Sequence, residues 1–330
     1  MGNISSNSLS TEIMRSFEDL RNAVEQRITE WCAQLPQSGL YEPMAYLMAL
    51  PAKRVRPVAV GMAHELFGGQ AEDVLEEALG IELFHNFTLM HDDIMDDAPL
   101  RRGRPTVHAR WNVNTAILSG DAMLVKAYML MARDAKVLEV FSQRALEVCE
   151  GQQDDMAFEQ RSDVTLAEYT AMIRLKTAVL LAGAMQVGAI RAQAPAADVE
   201  HIARVGEHLG LAFQLRDDLL DAFGDPTKVG KQVGGDLRAG KKTWILIRGS
   251  EVSRAQGRCE LQEELGKDSA DRDVPRMIRV LEELGVRAEA EEEVARHDAI
   301  ALRELDAIAV PEERKAPLRA LADLLMVRTH

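Results

Sequence analysis

Leu83-Phe84-His85-Asn86-Phe87-Thr88-Leu89-Met90-His91-Asp92-Asp93-Ile94-Met95-Asp96-Asp97 is the stretch on which the fold turns. Apolar residues recur at helical spacing through Leu83, Phe84, Phe87 and Met90, and the pattern predicts a helix over 71–95. That helix ends in acid. At 3.6 residues per turn Asp92, Asp93 and Asp96 fall within about 100° of arc, so one face carries all three. Like charges at i and i+4 destabilise a helix by about a few tenths of a kcal/mol, and the C-terminal end already carries partial negative charge. A second predicted helix, 198–223, closes the same way, in Asp217-Asp218-Leu219-Leu220-Asp221. One such cluster alone reads as a solvated acidic helix end. Two are different: a chain of this Asp content shows one by chance about 0.1 times and two independent ones under about 0.02 times. A hard divalent cation such as Mg²⁺ offsets the charge, because it prefers carboxylate oxygens and completes its shell with water or phosphate.

Outward from these two helices the periodicity stays helical. It predicts further helices over 10–33, 43–50, 56–67, 113–132, 136–158 and 166–190, with shorter ones near 242–249, 273–284, 288–304 and 312–327. No period-two alternation and no strand–helix–strand rhythm is present, so the expected fold is all-α: a single helical domain over 1–330, with 1–9 a flexible N-terminal segment. The composition agrees. Of 330 residues, 47% are hydrophobic, enough for a large core, and the many Met and few aromatic residues favour helix over strand. The most apolar run, 177–190, is too short to span a bilayer and contains Gln186, so it reads as a core helix with no transmembrane segment implied.

Charge and cysteines exclude other classes. A net charge of −14 argues against nucleic-acid binding, which needs a basic footprint. Cys32, Cys149 and Cys259 have no metal-ligand spacing and an odd count, which fits a reducing cytoplasm. No secretory signal opens the chain. Met1-Gly2-Asn3-Ile4-Ser5-Ser6 fits the loose myristoylation pattern without a supporting basic patch and reads as a chance match.

The cations lie in loops beside the acidic helix ends. Lys53 and Arg56 sit in the proline-bounded Pro51-Ala52-Lys53-Arg54-Val55-Arg56-Pro57, Arg101 and Arg102 follow the first cluster, and Lys231 and Lys241 follow the second in Gly-rich surroundings. Arginine forks match phosphate oxygens, lysine acts as a point charge, and glycine lets backbone approach phosphate. That is cation enough for two diphosphates, hence for two substrates.

From about Lys53 to Trp244 the chain resembles the trans-type prenyl-diphosphate (polyprenyl) synthases of short-chain, farnesyl- or geranylgeranyl-type. Asp92-Asp93-Ile94-Met95-Asp96 with Leu100-Arg101-Arg102-Gly103-Arg104-Pro105-Thr106 looks like the first aspartate-rich motif and its arginine tail, and Phe213-Gln214-Leu215-Arg216-Asp217-Asp218-Leu219-Leu220-Asp221 like the second. Lys53-Arg54-Val55-Arg56-Pro57 matches the basic loop, with Ala52 where a Gly is expected, and Gly151-Gln152-Gln153-Asp154-Asp155 and Lys176-Thr177 match two further signatures.

The resemblance implies an isoprenoid synthase fold, a bundle of antiparallel helices around a central cavity, usually as a homodimer. It implies that Lys53, Arg56, His85 and Arg102 hold isopentenyl diphosphate. Arg101, Lys176, Thr177, Gln214, Lys231 and Lys241 would serve the allylic diphosphate (dimethylallyl, geranyl or farnesyl). Asp92, Asp96 and Asp217 would be the main ligands of three Mg²⁺ ions, replaceable by Mn²⁺, helped by Asp93, Asp218 and Asp221. The implied reaction ionises the allylic diphosphate and needs no side-chain nucleophile. Phe87, five positions before Asp92, looks like the floor of a short product channel, with Thr88 beside it and Phe84 one turn below; this implies a C15–C20 product, C20 favoured. A class I terpene cyclase shares the first motif but usually carries an Asn/Asp–Ser/Thr–Glu second motif, and a non-catalytic subunit tends to lose an aspartate motif. Neither matches as well.

Overall fold

The computed structural model describes the backbone of residues 6–224 and 233–326, and side chains from Phe17 to Leu325 outside the same gap. Lys231 and Gly2 therefore lie outside the described residues. The helices are α1 (Ser6–Ala33), α2 (Glu42–Met48), α3 (Val55–Leu66), α4 (Leu75–Met95), α5 (Val107–Arg110), α6 (Val113–Met131), α7 (Ala135–Glu159), α8 (Leu166–Ile173), α9 (Val179–Arg191) and α10 (Ala196–Phe223). Helices Gly235–Ala239, Trp244–Ala255, Glu260–Leu265, Val274–Glu283, Val286–Ala307 and Glu312–Met326 follow. The fold is all-α as the periodicity predicts; among the described residues the strands are two two-residue pieces, Leu100–Arg101 and Arg104–Pro105.

The structure departs from the expected helices at three places. The expected helix 71–95 begins with a 3₁₀ turn, Ala71–Val74, before α4 proper. The expected helix 166–190 contains a π turn, Arg174–Ala178, between α8 and α9. The helix near 242 starts at Trp244, where Thr243 caps it by accepting from Leu246 N–H, and runs on to Ala255. The run across α8, the π turn and α9 also corrects the length argument: Leu166–Arg191 is long and apolar enough by composition to cross a bilayer. With 67% of its most apolar window buried inside the protein, it is a core helix.

The chain divides into two compact units. The first comprises residues up to Ala145 with Leu180–Ala203 and Ala307–Leu321; the second comprises Leu146–Val179, Arg204–Asp306 and residues from Ala322. In the first, α4 is apolar on nearly every side, with Leu79, Ile81, Leu83, Phe84 and Met90 fully buried, and its widest contact is with α6. Gly188 of α9 lets that helix lie against α3: a Cβ there would come 2.1 Å from the Val60 carbonyl oxygen, so only glycine fits. In the second unit, Tyr169, Ile173, Leu211, Leu215, Trp244 and Leu281 form one core that fixes α10 against α8 and helix Trp244–Ala255.

Two polar contacts tie α10 to helix Val286–Ala307. Arg216 pairs with Asp298. Half a helix further back, His208 Nδ1 and His297 Nδ1 lie 2.8 Å apart and therefore share one proton. Burial, with Arg296 and His208 nearby, pushes His297 down to about 4, although Glu293 opposes the shift. Burial also lowers His208.

Gly188→Ala should destabilise the protein by about 1–3 kcal/mol through overpacking against backbone that cannot yield, seen as a lower urea midpoint at unchanged slope. The His pair sets a pH dependence. Both folded-state pKa values lie below the unfolded value of about 6.5, so their stabilisation is complete above that pH and is lost as pH falls toward 4. His297→Leu should flatten the loss of stability between these pH values; an unchanged stability–pH curve would refute the assignment.

Candidate active site

In the first unit the acidic end of α4 is closed by a paired-bond turn. Ala98 N–H donates to the Asp93 carbonyl (2.9 Å) and Asp97 N–H to that of Ile94 (3.2 Å). Asp97 takes the left-handed conformation there (φ 47°), which Asp tolerates better than most residues. The chain then makes a tight hairpin in which Leu100 pairs with Pro105 and Arg101 with Arg104. Both central residues, Arg102 and Gly103, have positive φ (53° and 73°), the backbone that matches hairpin twist.

The hairpin folds Arg101 back onto the helix end. Its Nε lies 2.8 and 2.9 Å from the two Asp93 oxygens, and Nη2 lies 2.7 Å from Asp93 Oδ1 and 3.5 Å from Asp92 Oδ2. Asp93 is buried; burial raises its pKa and Arg101 opposes the rise. Asp92 is half-buried and Asp96 exposed. The middle carboxylate is thus turned inward and neutralised, while the flanking pair, one turn apart, faces outward.

The residues expected to hold isopentenyl diphosphate also lie in this unit. Arg56 Nη1 lies 3.2 Å from His85 Nε2. A guanidinium only donates, so Nε2 accepts and His85 is neutral with its proton on Nδ1. Burial, then Arg56, Arg102, Arg101 and Arg54, hold His85 well below the usual imidazole range. Lys53 and Arg102 are exposed. Thr88 donates to the His85 carbonyl (2.8 Å), and Phe87 is buried in an aromatic cluster, its ring 5.6 Å from Phe84 and 4.8 Å from His91.

The second unit repeats the logic with different partners. Asp218 is fully inside: Tyr169 O–H donates to its Oδ2 at 2.5 Å, Trp244 N–H to the same oxygen at 3.3 Å, and Gln214 Nε2 to Oδ1 at 3.2 Å. Burial drives its pKa up to about 7 against those three donors. Asp217 and Asp221 are half-buried. Asp221 also accepts from Asp236 N–H (2.9 Å), which ties the start of helix Gly235–Ala239 to the end of α10. Gln214, with its amide hydrogens on Asp218, turns its oxygen to Thr177 Oγ1 at 3.3 Å. Lys176 pairs with Asp155 at 2.6 Å. Both Lys176 and Thr177 lie in the π turn, where the helical ladder is broken, a feature frequent at functional sites. Gly151 permits the crossing that brings Asp155 there, since a Cβ would meet Lys176 N at 2.3 Å. Lys241 is exposed just before helix Trp244–Ala255.

Hydrogen bonds and ion pairs thus join Asp92, Asp93 and Arg101, and Arg56 with His85, in the first unit, and Asp218, Gln214 and Thr177, and Lys176 with Asp155, in the second. Reasoning from sequence passed over Arg54, Tyr169 and the π turn. Nothing local in the sequence marks Tyr169 as a partner of Asp218, and nothing local marks a π turn. Among the described residues no three His, Cys, Asp or Glu side chains converge into a closed metal cage. One or two outward carboxylates per helix end is the donor set that suits a hard cation sharing its shell with phosphate and water.

Comparison with known proteins accords with this geometry. The Polyprenyl synthetase family profile matches residues 37–281. The short chain isoprenyl diphosphate synthase of Methanothermobacter thermautotrophicus is 34% identical, covering 97% of this chain and 98% of its own. The geranylgeranyl diphosphate synthase of Sulfolobus acidocaldarius is 36% identical, covering 78% and 80%. A geranylgeranyl pyrophosphate synthase crystal structure superposes with a TM-score of 0.89 at 40% identity, covering 95% of this chain and 99% of its own. The names of further relatives range from farnesyl to geranylfarnesyl diphosphate synthase. The chain belongs to the polyprenyl synthetase family, with the all-α isoprenoid synthase fold. Within it, the protein is a short-chain trans-prenyl synthase, a chain-elongating prenyltransferase. The family depends on divalent metal and uses isopentenyl and allylic diphosphates.

The neutral state of His85 makes a specific prediction. A neutral imidazole that accepts from Arg56 can be replaced by a side-chain amide but not by a methyl group. His85→Gln should keep the KM for isopentenyl diphosphate within about threefold, whereas His85→Ala should raise it about tenfold or more, read from initial rates at saturating allylic substrate.

Proposed function

We propose that this enzyme condenses isopentenyl diphosphate with dimethylallyl, geranyl and farnesyl diphosphates to an all-trans product of C15–C20, with C20 favoured. Lys53, Arg56, His85 and Arg102 hold the isopentenyl diphosphate. Arg101, Lys176, Thr177, Gln214, Lys231 and Lys241 serve the allylic diphosphate. The observation that carries this is the paired design of the acidic ends: Asp93 and Asp218 are turned inward onto Arg101 and onto Tyr169 with Gln214, beside the less buried Asp92, Asp96, Asp217 and Asp221.

Asp92, Asp96 and Asp217 are the main ligands of three Mg²⁺ ions, replaceable by Mn²⁺, with Asp221 assisting and Asp93 and Asp218 acting from behind. When bound, the metal neutralises charge on the leaving diphosphate. The chain's own residues do the rest. Lys176 and the other cations stabilise the developing anion as the C1–O bond of the allylic substrate breaks. The Thr177 and Gln214 oxygens face the allylic cation, and fixed dipoles of this kind need no reorganisation as charge develops. The isopentenyl double bond, held by its diphosphate, attacks that cation to form the new C–C bond, and the proton then lost goes to the released diphosphate.

Phe87, backed by Phe84 and Phe141, forms the floor that limits chain length; the Phe84 and Phe141 rings lie 5.3 Å apart. We assign a homodimer, with α6 as the contact: Leu118, Val125 and Met129, each about 60% exposed, fall within about 40° of arc. A cytoplasmic location fits three free cysteines.

The test is incubation of purified protein with isopentenyl diphosphate, each allylic primer and Mg²⁺, followed by chromatography of the products. Condensation to C15–C20 is expected, and no product with any primer would refute the proposal. Phe87→Ala should shift products at least one C5 unit longer; an unchanged distribution would remove Phe87 from the floor.

A further inference from the structure

The central residue of the basic loop is not among the groups assigned to either substrate. Arg54 points inward, its side chain 1% exposed, and takes the left-handed conformation (φ 52°) as the residue that starts α3. Such a backbone is strained for arginine and persists only where its surroundings over-determine it. They do so here from three elements. Arg54 Nε donates to Glu25 of α1 (2.8 Å), Nη1 to Glu82 of α4 (2.5 Å) and Nη2 to the Met48 carbonyl at the end of α2 (2.6 Å).

Glu82 is the deeper partner. It is 1% exposed, and the oxygen that receives Arg54 also receives Asn86 Nδ2 at 2.9 Å. Its charge reaches beyond that pair, acting on Arg56 and Arg102 as well. Arg54 thus bonds to this carboxylate directly, while Arg56 and Arg102 feel its charge, with neutral His85 one turn along α4. Without the carboxylate, three like charges in a half-buried setting would repel, and each would prefer to swing toward solvent.

We propose that the buried Arg54–Glu82 pair is the positioning element of the isopentenyl diphosphate subsite. Arg54 pins the loop so that Lys53 and Arg56 are presented together. Glu82 holds Arg54 and supplies a countercharge felt at Arg56 and Arg102, from a depth at which it does not compete with phosphate for their donors. This is preorganisation by a group that never touches substrate, and it rests on the assignment of Lys53, Arg56, His85 and Arg102 to isopentenyl diphosphate.

Glu82→Gln tests it, since the amide keeps the shape and an acceptor for Arg54 but removes the charge. The KM for isopentenyl diphosphate should rise about tenfold, with kcat and the KM for the allylic substrate within about twofold. Calorimetric titration of isopentenyl diphosphate alone, without metal, should weaken by a similar factor. Glu25→Gln, which removes the charge of the more exposed partner of Arg54, should raise the same KM about two- to fivefold and keeps the test open if Glu82→Gln does not fold. A merely structural pair would lower thermal stability while leaving the ratio of the two KM values unchanged in the folded variants, and that result overturns the proposal. If the wild-type enzyme neither binds nor consumes isopentenyl diphosphate, the subsite assignment itself fails, an outcome distinct from a variant that binds like wild type.

Discussion

A carboxylate at the C-terminal end of a helix meets the negative end of the peptide dipoles, and three of them on one turn repel one another as well. The organisation of both acidic ends follows from how this chain relieves that repulsion. In each, one aspartate is withdrawn into the interior and satisfied by donors from outside its own turn. Asp93 receives both nitrogen edges of Arg101, delivered by a hairpin whose central residues have positive φ. Asp218 receives Tyr169, Gln214 and the first N–H of helix Trp244–Ala255. The same contacts that neutralise the inner carboxylate also fix the ends of neighbouring segments, so charge relief and placement are one event.

The donors differ because their surroundings differ. At the first end a full positive charge is available from the adjoining loop, and Asp93 stays half-screened beside it. At the second, Asp218 lies among apolar residues of the second unit's core and has only neutral donors. Its proton affinity therefore rises to about 7 where Asp93 has a guanidinium to oppose the same trend. Gln214 gains from this: with its amide hydrogens committed to Asp218, its oxygen can only face the other way, toward Thr177. The orientation of an amide with two nearly equivalent ends is thereby decided by a buried carboxylate.

Close helix approach provides the rigid frame. Gly188 and Gly151 stand where a methyl group would collide with backbone of the facing helix, and at Gly151 that backbone belongs to the π turn bearing Lys176 and Thr177. Backbone-to-backbone contact leaves little freedom for sliding, which suits a site whose groups must be in place before charge develops.

Much of this was legible in the sequence because it depends on local periodicity. Helical spacing alone brings Asp92, Asp93 and Asp96 to one face, separates acidic helix ends from basic loops, and makes the chain all-α; the resemblance to prenyl synthases then follows from motifs contiguous in the chain. What periodicity cannot express is which way equivalent residues turn. Asp92 and Asp93 are chemically identical neighbours, as are Arg54 and Arg56 two positions apart, and only contacts from other segments make one of each pair buried and the other only partly so. The π turn at Arg174–Ala178 and the left-handed Arg54 were likewise decided by tertiary structure, since each is a local conformation that the isolated segment would not favour and that packing from several elements holds in place.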